Sequence, residues 1–231
     1  MTDVESLKRD VASASRIVYR EGLAEGFGHV SARIPGTNTF LIPRRMSPAL
    51  VRPEDILTFD LDGRQVAGDR IANAETALHT RLYVNRPDVN AQAHTHSPNV
   101  IVLGVCGQLV RPLHNSGAAF HGGVGLYKTP GLVVTNEQGD AVAAALGDKR
   151  AVMLRGHGAS IVGPSMKICM LWALILEEAA RYQVMASSVG KPQFFDEADL
   201  KAADGDFFLT PGAESQVERG WNYYTSRIDP F

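Results

Sequence analysis

The segment QAHTHSPN at residues 92–99 constrains the fold more than any other part of the sequence. His94 and His96 are two positions apart, which places their side chains on one face of a β-strand but on different sides of an α-helix. Ser97 and Pro98 follow, and they are a good N-cap and a good first residue of a helix. The segment therefore predicts a strand that ends where a helix begins, with two imidazoles aimed at a shared point.

The rest of the chain alternates between helical and strand-like patterns. Apolar residues at helical spacing predict a first helix that starts at a T-x-x-E capping box at residues 2–5 and ends at Gly26 and Gly28. The further predicted helices cover about 73–85, 97–105, 138–146, 165–188 and 211–221, and the strand-like segments cover 29–34, 39–43, 56–63, 92–96, 132–136, 151–155 and 158–163. Several hairpin signals favour a single α/β domain over residues 1–231, with a largely antiparallel sheet between helices.

The composition limits the classes of protein to which the chain can belong. The chain has 231 residues, of which 45% are hydrophobic and 21% charged, and a net charge of −2, so neither nucleic acid nor an acidic membrane is expected as a partner. Charges in the first ten residues and an apolar run of only 9 residues (168–176) predict a cytoplasmic protein without a membrane span. Cys106 and Cys169 lie in apolar helical patterns and are expected to be buried, reduced thiols.

A metal site at His94 and His96 requires at least one further ligand. His157 follows a predicted strand and lies between Gly156 and Gly158, which allow a tight turn and a close approach of other groups. Glu75 supplies a carboxylate in the predicted first turn of a helix. Each residue also has a purely structural explanation, since histidine is common in turns and a carboxylate stabilises a helix N-terminus.

Three segments together resemble the class II aldolase/adducin family: GHVSAR at 28–33, IANAETALHTRLYVNRPDVNAQAHTHSP at 71–98 and VMLRGHG at 152–158. The resemblance covers about residues 5–190. It implies a three-layer α/β/α fold with a central, mostly antiparallel sheet. It also implies a homotetramer with active sites at subunit interfaces. His94, His96 and His157 would bind one divalent metal ion (zinc, manganese, cobalt or iron), with Glu75 as a fourth ligand or an acid/base.

The sequence departs from the members of the family that act on sugar phosphates. Those members hold phosphate with small polar residues, whereas this chain has His29 in the first loop, Arg44 and Arg45 in the second, and Ala72–Asn73–Ala74 in the third. Guanidinium groups bind phosphate, and they equally bind a carboxylate through two parallel hydrogen bonds. Because neighbours on a strand point to opposite sides, at most one of the two arginines is expected to face the site.

The loop at residues 114–123 departs from the aldolases as well. The aldolases place a tyrosine from a neighbouring subunit after the position of His114, and this chain has Asn115 there. The loss of this tyrosine weakens a retro-aldol function. His114, Asn115 and His121 are the other polar groups that the loop offers for proton transfer.

The segment PRRMSPALVRPEDI at 43–56 resembles the decarboxylase branch of the family, which acts on hydroxylated aromatic dicarboxylates and on ring-cleavage semialdehydes. We therefore predict a metal-dependent decarboxylase of a small carboxylate substrate in aromatic catabolism. Glu75 and His121 are the predicted catalytic residues, and the predicted substrate-binding residues are His29, Ser31, Arg44, Arg45 and Asn115. The alternatives are an aldolase or epimerase acting on a sugar phosphate or hydroxy-keto acid, and a non-catalytic adducin-like binding module.

Overall fold

A mixed sheet of eight strands forms the centre of the protein, in a computed structural model that describes residues 3–231. The strands lie side by side in the order β4-β3-β2-β1-β5-β8-β7-β6, and every pair is antiparallel except β6 with β7. The predicted α/β class with a mostly antiparallel sheet is therefore confirmed. The strands are β1 (His29–Arg33), β2 (Thr39–Pro43), β3 (Ile56–Asp60), β4 (Gln65–Ala67), β5 (Ala91–Thr95), β6 (Gly125–Tyr127), β7 (Ala151–Leu154) and β8 (Gly158–Gly163).

Helices cover both faces of the sheet and complete three layers. They are α1 (Val4–Arg20), α2 (Thr76–Asn85), α3 (Pro98–Val105), α4 (Asn136–Leu146), α5 (Met166–Val189), α6 (Glu197–Ala203) and α7 (Glu214–Thr225). One face of the sheet packs on α1, α3 and α5 through residues such as Ile17, Val100 and Leu176. The other face packs on α2 and α4 through residues such as Leu82 and Leu146.

Alternation along the strands decides which side chains face which layer. Val30 and Ala32 of β1 belong to the core under α1, α3 and α5, so His29 and Ser31 point to the opposite face, towards α2. The register places His29 directly opposite His94 of β5, and His94 directly opposite Ser160 of β8. Polar residues from three adjacent strands therefore meet on one side of the sheet.

The N-terminus of α1 differs from the predicted capping box. Asp3 is the N-cap, and its side chain accepts a hydrogen bond from the backbone N–H of Glu5. Thr2, the first residue of the predicted box, lies outside the described residues. The helix ends at Arg20, several residues before the glycines that were expected to end it.

The predicted strand at 132–136 is wrong. This segment is a loop that leads into α4, where Thr135 and Gln138 form a capping box. The backbone N–H of Val133 donates to the Glu75 carboxylate at 2.9 Å instead of joining a sheet. The Val133 N–H is therefore satisfied by a buried carboxylate and not by a neighbouring strand.

One further expectation fails, and one helix was not foreseen. Cys106 is exposed at the C-terminal end of α3, whereas Cys169 is buried as predicted, and both thiols are free. The helix α6 was not predicted. Within the described part of the chain, no helix is long and apolar enough to cross a membrane.

Replacing Gly158 with alanine tests how tightly the start of β8 is packed. A Cβ at this position would overlap the carbonyl oxygen of Thr95 and lie 3.1 Å from the Cα of His96. We expect Gly158→Ala to lower the free energy of unfolding by about 1–3 kcal/mol, because an added methyl group in a closely packed region forces backbone shifts. Urea denaturation measures the change. Gly122→Ala is the control, since nothing lies within 4 Å of a Cβ there, and equal losses in both variants would contradict this packing.

Candidate metal centre

Three histidines converge where β5 ends and where β7 turns into β8. His94 is in β5, His96 follows the strand by one residue, and His157 lies in the turn. The Nε2 atoms of His94 and His96 are 3.2 Å apart. The ring of His157 lies 4.8 Å from that of His94 and 4.9 Å from that of His96, measured between centroids. The two imidazoles of H-x-H and the G-H-G turn therefore meet, as the resemblance to the family implied.

The residues of this cluster fit a divalent metal ion. Imidazole nitrogens that surround a tetrahedral zinc ion at about 2.0–2.1 Å lie about 3.4 Å from one another. The observed 3.2 Å between two Nε2 atoms matches that spacing. Both ring nitrogens of His157 are buried and have no hydrogen-bond partner among the described residues. A cation at the centre of the cluster would satisfy one of these two nitrogens, since the two nitrogens of an imidazole ring point in different directions.

The surroundings of His94 and His96 favour neutral imidazoles. Burial lowers the pKa of His94 well below its usual value, and the neighbouring histidines lower it further. Burial, followed by the proximity of His157 and His29, lowers the pKa of His96 to about 4. Neutral imidazole is the form that binds metal ions, so these ligands are ready to bind at neutral pH.

Glu75 adds a carboxylate at the edge of the cluster. It immediately precedes α2, and its backbone N–H donates to the Asn73 side chain at 3.1 Å. Its Oε2 atom lies 3.5–3.8 Å from the Nε2 atoms of His29, His94 and His157. Burial by itself would raise the pKa of Glu75, but the contact with His29 and the Val133 N–H outweigh burial and lower it. The carboxylate is therefore ionised.

Behind the cluster, a line of buried polar side chains runs from β1 to α2. His29 Nδ1 lies 2.6 Å from His79 Nε2, and His79 Nδ1 lies 2.6 Å from the Ser31 hydroxyl. The Ser31 hydroxyl is in turn 2.9 Å from the Tyr83 hydroxyl. Ser31 is fully buried and does not line the cavity, and its predicted contact with substrate stays a prediction.

Sequence reasoning missed His79 and Tyr83. A signal for them exists, because Glu75, His79 and Tyr83 follow one another at intervals of four residues. That spacing places all three on one face of a helix.

A cavity of about 480 Å³ opens beside the histidines. Its walls include His29, Glu75, His96 and His157 and, around the mouth, Phe27, Arg45, Ser47 and Leu132. Arg45 lines this cavity, whereas Arg44 is held by Asp55 through an Nε–Oδ1 contact of 2.7 Å. One arginine of the pair therefore lines the cavity, although both follow the end of β2 and strand alternation does not decide which one.

The model of the class II aldolase and adducin N-terminal domain matches residues 9–184. The chain belongs to this family. Two relatives differ in their reactions. The chain is 30% identical to 3,4-dihydroxyphthalate decarboxylase of Rhodococcus jostii (strain RHA1), covering 98% of this chain and 97% of the relative. It is 29% identical to 5-methylthioribulose-1-phosphate/5-deoxyribulose-1-phosphate aldolase of Rhodospirillum rubrum, covering 92% and 95%.

Among solved structures, L-fuculose 1-phosphate aldolase from Glaciozyma antarctica superposes with a TM-score of 0.82 at 23% identity, covering 98% of this chain and 91% of that one. At this identity the likeness supports the fold alone. The three-layer arrangement is thus that of the class II aldolase family.

The two remaining predicted site residues, Asn115 and His121, lie elsewhere in the chain. Asn115 lines a separate cavity of about 1010 Å³ beside α5 and α7, and the Nε2 of His121 lies 3.3 Å from an Asp206 carboxylate oxygen. Neither lines the cavity at the histidine cluster. A role in catalysis for either residue requires a neighbouring chain, and it stays a prediction.

The buried line of polar groups predicts a specific sensitivity to acid. Burial lowers the pKa of His79 well below its usual value, so the folded protein stays unprotonated there while the unfolded chain takes up a proton below about pH 6.5. The free energy of unfolding should therefore fall with decreasing pH, and at about pH 5 His79 accounts for up to about 2 kcal/mol of this loss.

Urea denaturation of the metal-stripped protein at about pH 7 and pH 5 measures this loss. In His79→Gln, which cannot be protonated, the fall in unfolding free energy between the two pH values should be smaller by about 2 kcal/mol. The same substitution at the half-exposed His121 serves as the control. An equal fall in His79→Gln and the wild type would contradict the prediction.

Proposed function

We propose that the protein is a divalent-metal-dependent decarboxylase of a hydroxylated aromatic dicarboxylate or of a ring-cleavage carboxy-semialdehyde, in aromatic catabolism. The observation that carries the proposal is the position of Arg45, on the wall of the cavity that holds the histidine cluster. The similarity to 3,4-dihydroxyphthalate decarboxylase over nearly the whole chain supports the same conclusion.

Arg45 suits the carboxylate that remains on the substrate. A planar guanidinium donates two parallel hydrogen bonds to a carboxylate and so fixes both its position and its orientation. An anchor of this kind turns the second carboxylate, the one to be lost, towards the histidine cluster. Phe27 at the mouth of the cavity offers an apolar surface for the aromatic ring.

His94, His96 and His157 would hold the metal ion. When bound, the ion supplies Lewis-acid stabilisation for the negative charge that develops on a substrate oxygen as CO₂ leaves. Because all three side chains are fixed at the ends of strands, the charge-stabilising centre is held in place before the substrate arrives.

Glu75 is placed to move one proton from a substrate hydroxyl to a substrate carbon. Its ionised carboxylate accepts the proton of a substrate hydroxyl as the substrate binds. When the bond to the departing carboxylate breaks, its electron pair stays on the substrate carbon, and Glu75 returns the proton to that carbon. The Val133 N–H holds Oε1, which leaves Oε2 directed at the site for this exchange.

Cleavage of a sugar phosphate or hydroxy-keto acid is the second candidate. It is favoured by the 29% identity to the Rhodospirillum rubrum aldolase, and retro-aldol cleavage needs the same stabilisation of negative charge on a substrate oxygen. Arg45 would then hold phosphate. A non-catalytic binding module is less compatible with the ionised, buried Glu75 at the edge of three converging imidazoles, of which His157 has no hydrogen-bond partner among the described residues.

The proposal includes a homotetramer with active sites at subunit interfaces. The resemblance to the family implies this assembly, and a catalytic role for Asn115 or His121 depends on it, because neither residue lines the cavity at the histidine cluster of its own chain. Light scattering on the eluted protein should give the mass of four chains. A monomer that decarboxylates at the full rate would show that Asn115 and His121 take no part in the reaction.

The direct test is CO₂ release from 3,4-dihydroxyphthalate by the metal-loaded protein, followed together with the dihydroxybenzoate formed. We expect His94→Ala to lower kcat/KM by more than about 100-fold, beyond the range found for residues that only support metal ligands. No release by a protein that has bound its metal would exclude this substrate, and cleavage of a sugar-phosphate panel would then favour the aldolase function.

Arg45 and Arg44 form a matched pair for testing substrate anchoring. We expect Arg45→Ala to raise KM for the dicarboxylate by about 10- to 100-fold, which corresponds to the loss of charged hydrogen bonds of about 1.5–3 kcal/mol. Arg44→Ala should leave KM unchanged, because this arginine is paired with Asp55 outside the cavity. Equal effects on KM in the two variants would contradict the assigned roles.

A further inference from the structure

Four buried side chains behind the metal centre form a continuous hydrogen-bonded line that the proposed reaction does not use. The line runs from Tyr83 to Ser31, from Ser31 to His79, and from His79 to His29, with contacts of 2.9, 2.6 and 2.6 Å. Ser31 and His79 are completely inaccessible to solvent, and Tyr83 and His29 are nearly so. In such a line, each group can donate only if its neighbour accepts, so the direction of one proton sets all the others.

The Tyr83 end sets the direction. Burial raises the pKa of Tyr83, so the phenol keeps its proton. Among the residues that the structure describes, the Ser31 hydroxyl is the one partner of the Tyr83 hydroxyl. If Ser31 donated to Tyr83, the buried phenol proton would have no acceptor, which is costly. Tyr83 therefore donates to Ser31.

The remaining steps follow from the number of protons on each group. Ser31 accepts from Tyr83 and donates its own proton to His79 Nδ1. Burial keeps His79 neutral by lowering its pKa, so its single ring proton is on Nε2 and is donated to His29 Nδ1. His29 then accepts at Nδ1 and carries its own proton on Nε2.

The opposite end of the line agrees with this direction. His29 Nε2 faces Glu75 Oε2 at 3.5 Å, and a carboxylate oxygen accepts but does not donate. With the reverse direction, a nitrogen lone pair would face the carboxylate. Both ends thus require the same order of protons.

We propose that Tyr83, Ser31 and His79 are positioning residues that fix His29 as the tautomer with its proton on Nε2, which makes His29 a hydrogen-bond donor to the cavity and not a metal ligand. Among residues 3–231, two groups of side chains are close enough to hold a metal ion: His94 with His96 and His157, and His29 with Glu75 and His94. A protonated Nε2 cannot coordinate a metal, so the line of hydrogen bonds selects the first group. The N–H of His29 then serves a substrate oxygen or carboxylate.

The inference rests on the metal site of the proposed function but not on the reaction. It is tested by two-bond ¹H–¹⁵N NMR of protein labelled with ¹⁵N-histidine, with and without zinc, in which the His29 signals are those lost in His29→Gln. We expect Nε2 of His29 to be protonated and Nδ1 to be unprotonated in both samples. A protonated Nδ1 in either sample would overturn the proposal.

Tyr83→Phe tests the role of the distant hydroxyl, since it removes only the first donor. We expect a second set of His29 signals from the opposite tautomer to appear, and Ser31→Ala should have the same effect one link closer. Tyr182→Phe is the control, because its hydroxyl contacts Glu178 and not this line. If His29 keeps a single tautomer in both Tyr83→Phe and Ser31→Ala, these residues do not position it.

The number of zinc ions bound per chain, measured on the same samples, separates the claim about the His29 tautomer from the claim about the metal site. If each chain binds one zinc ion but His29 carries its proton on Nδ1, the positioning role of Tyr83, Ser31 and His79 is contradicted and the metal site is not. Failure to bind zinc contradicts the metal site of the proposed function, and the tautomer is still read from the metal-free protein.

Discussion

The antiparallel pairing of β5 with β1 on one side and with β8 on the other holds the candidate site together. This register sets His94 between His29 and Ser160, and the close approach of Gly158 to Thr95 brings the turn that carries His157 beside the end of β5. The three histidines of the candidate metal site are thereby held by β5 and by the turn between β7 and β8. A site built on the ends of packed strands and on a tight turn is preorganised for chemistry that depends on placement of charge.

The helix α2 supplies the other half of the site. Its apolar side chains, Leu78 and Leu82, pack into the core that α2 shares with α4, and this packing directs Glu75, His79 and Tyr83 towards β1. A buried polar line costs free energy unless every member is hydrogen-bonded, and here each member has its partner. The same packing that stabilises α2 therefore determines which proton His29 presents to the cavity.

Local patterns in the sequence predicted much of this arrangement, and contacts between distant residues account for what they missed. The H-x-H pair depends on the two-residue period of a strand, and the G-H-G turn depends on the small size of glycine. By contrast, LVVTN at 132–136 has the composition of a strand, yet Val133 donates its N–H to Glu75, 58 residues away. Ser31 and His79, 48 residues apart, meet only through the packing of α2 on β1.

The central claim is that His94, His96 and His157 together bind one metal ion. X-ray absorption spectroscopy of the protein loaded with one equivalent of zinc measures this directly, because imidazole ligands give a distinctive scattering pattern. The account predicts three imidazole nitrogens at about 2.0–2.1 Å, with oxygen completing the shell. A zinc ion bound by fewer than three imidazoles, or by four with His29 included, would contradict it.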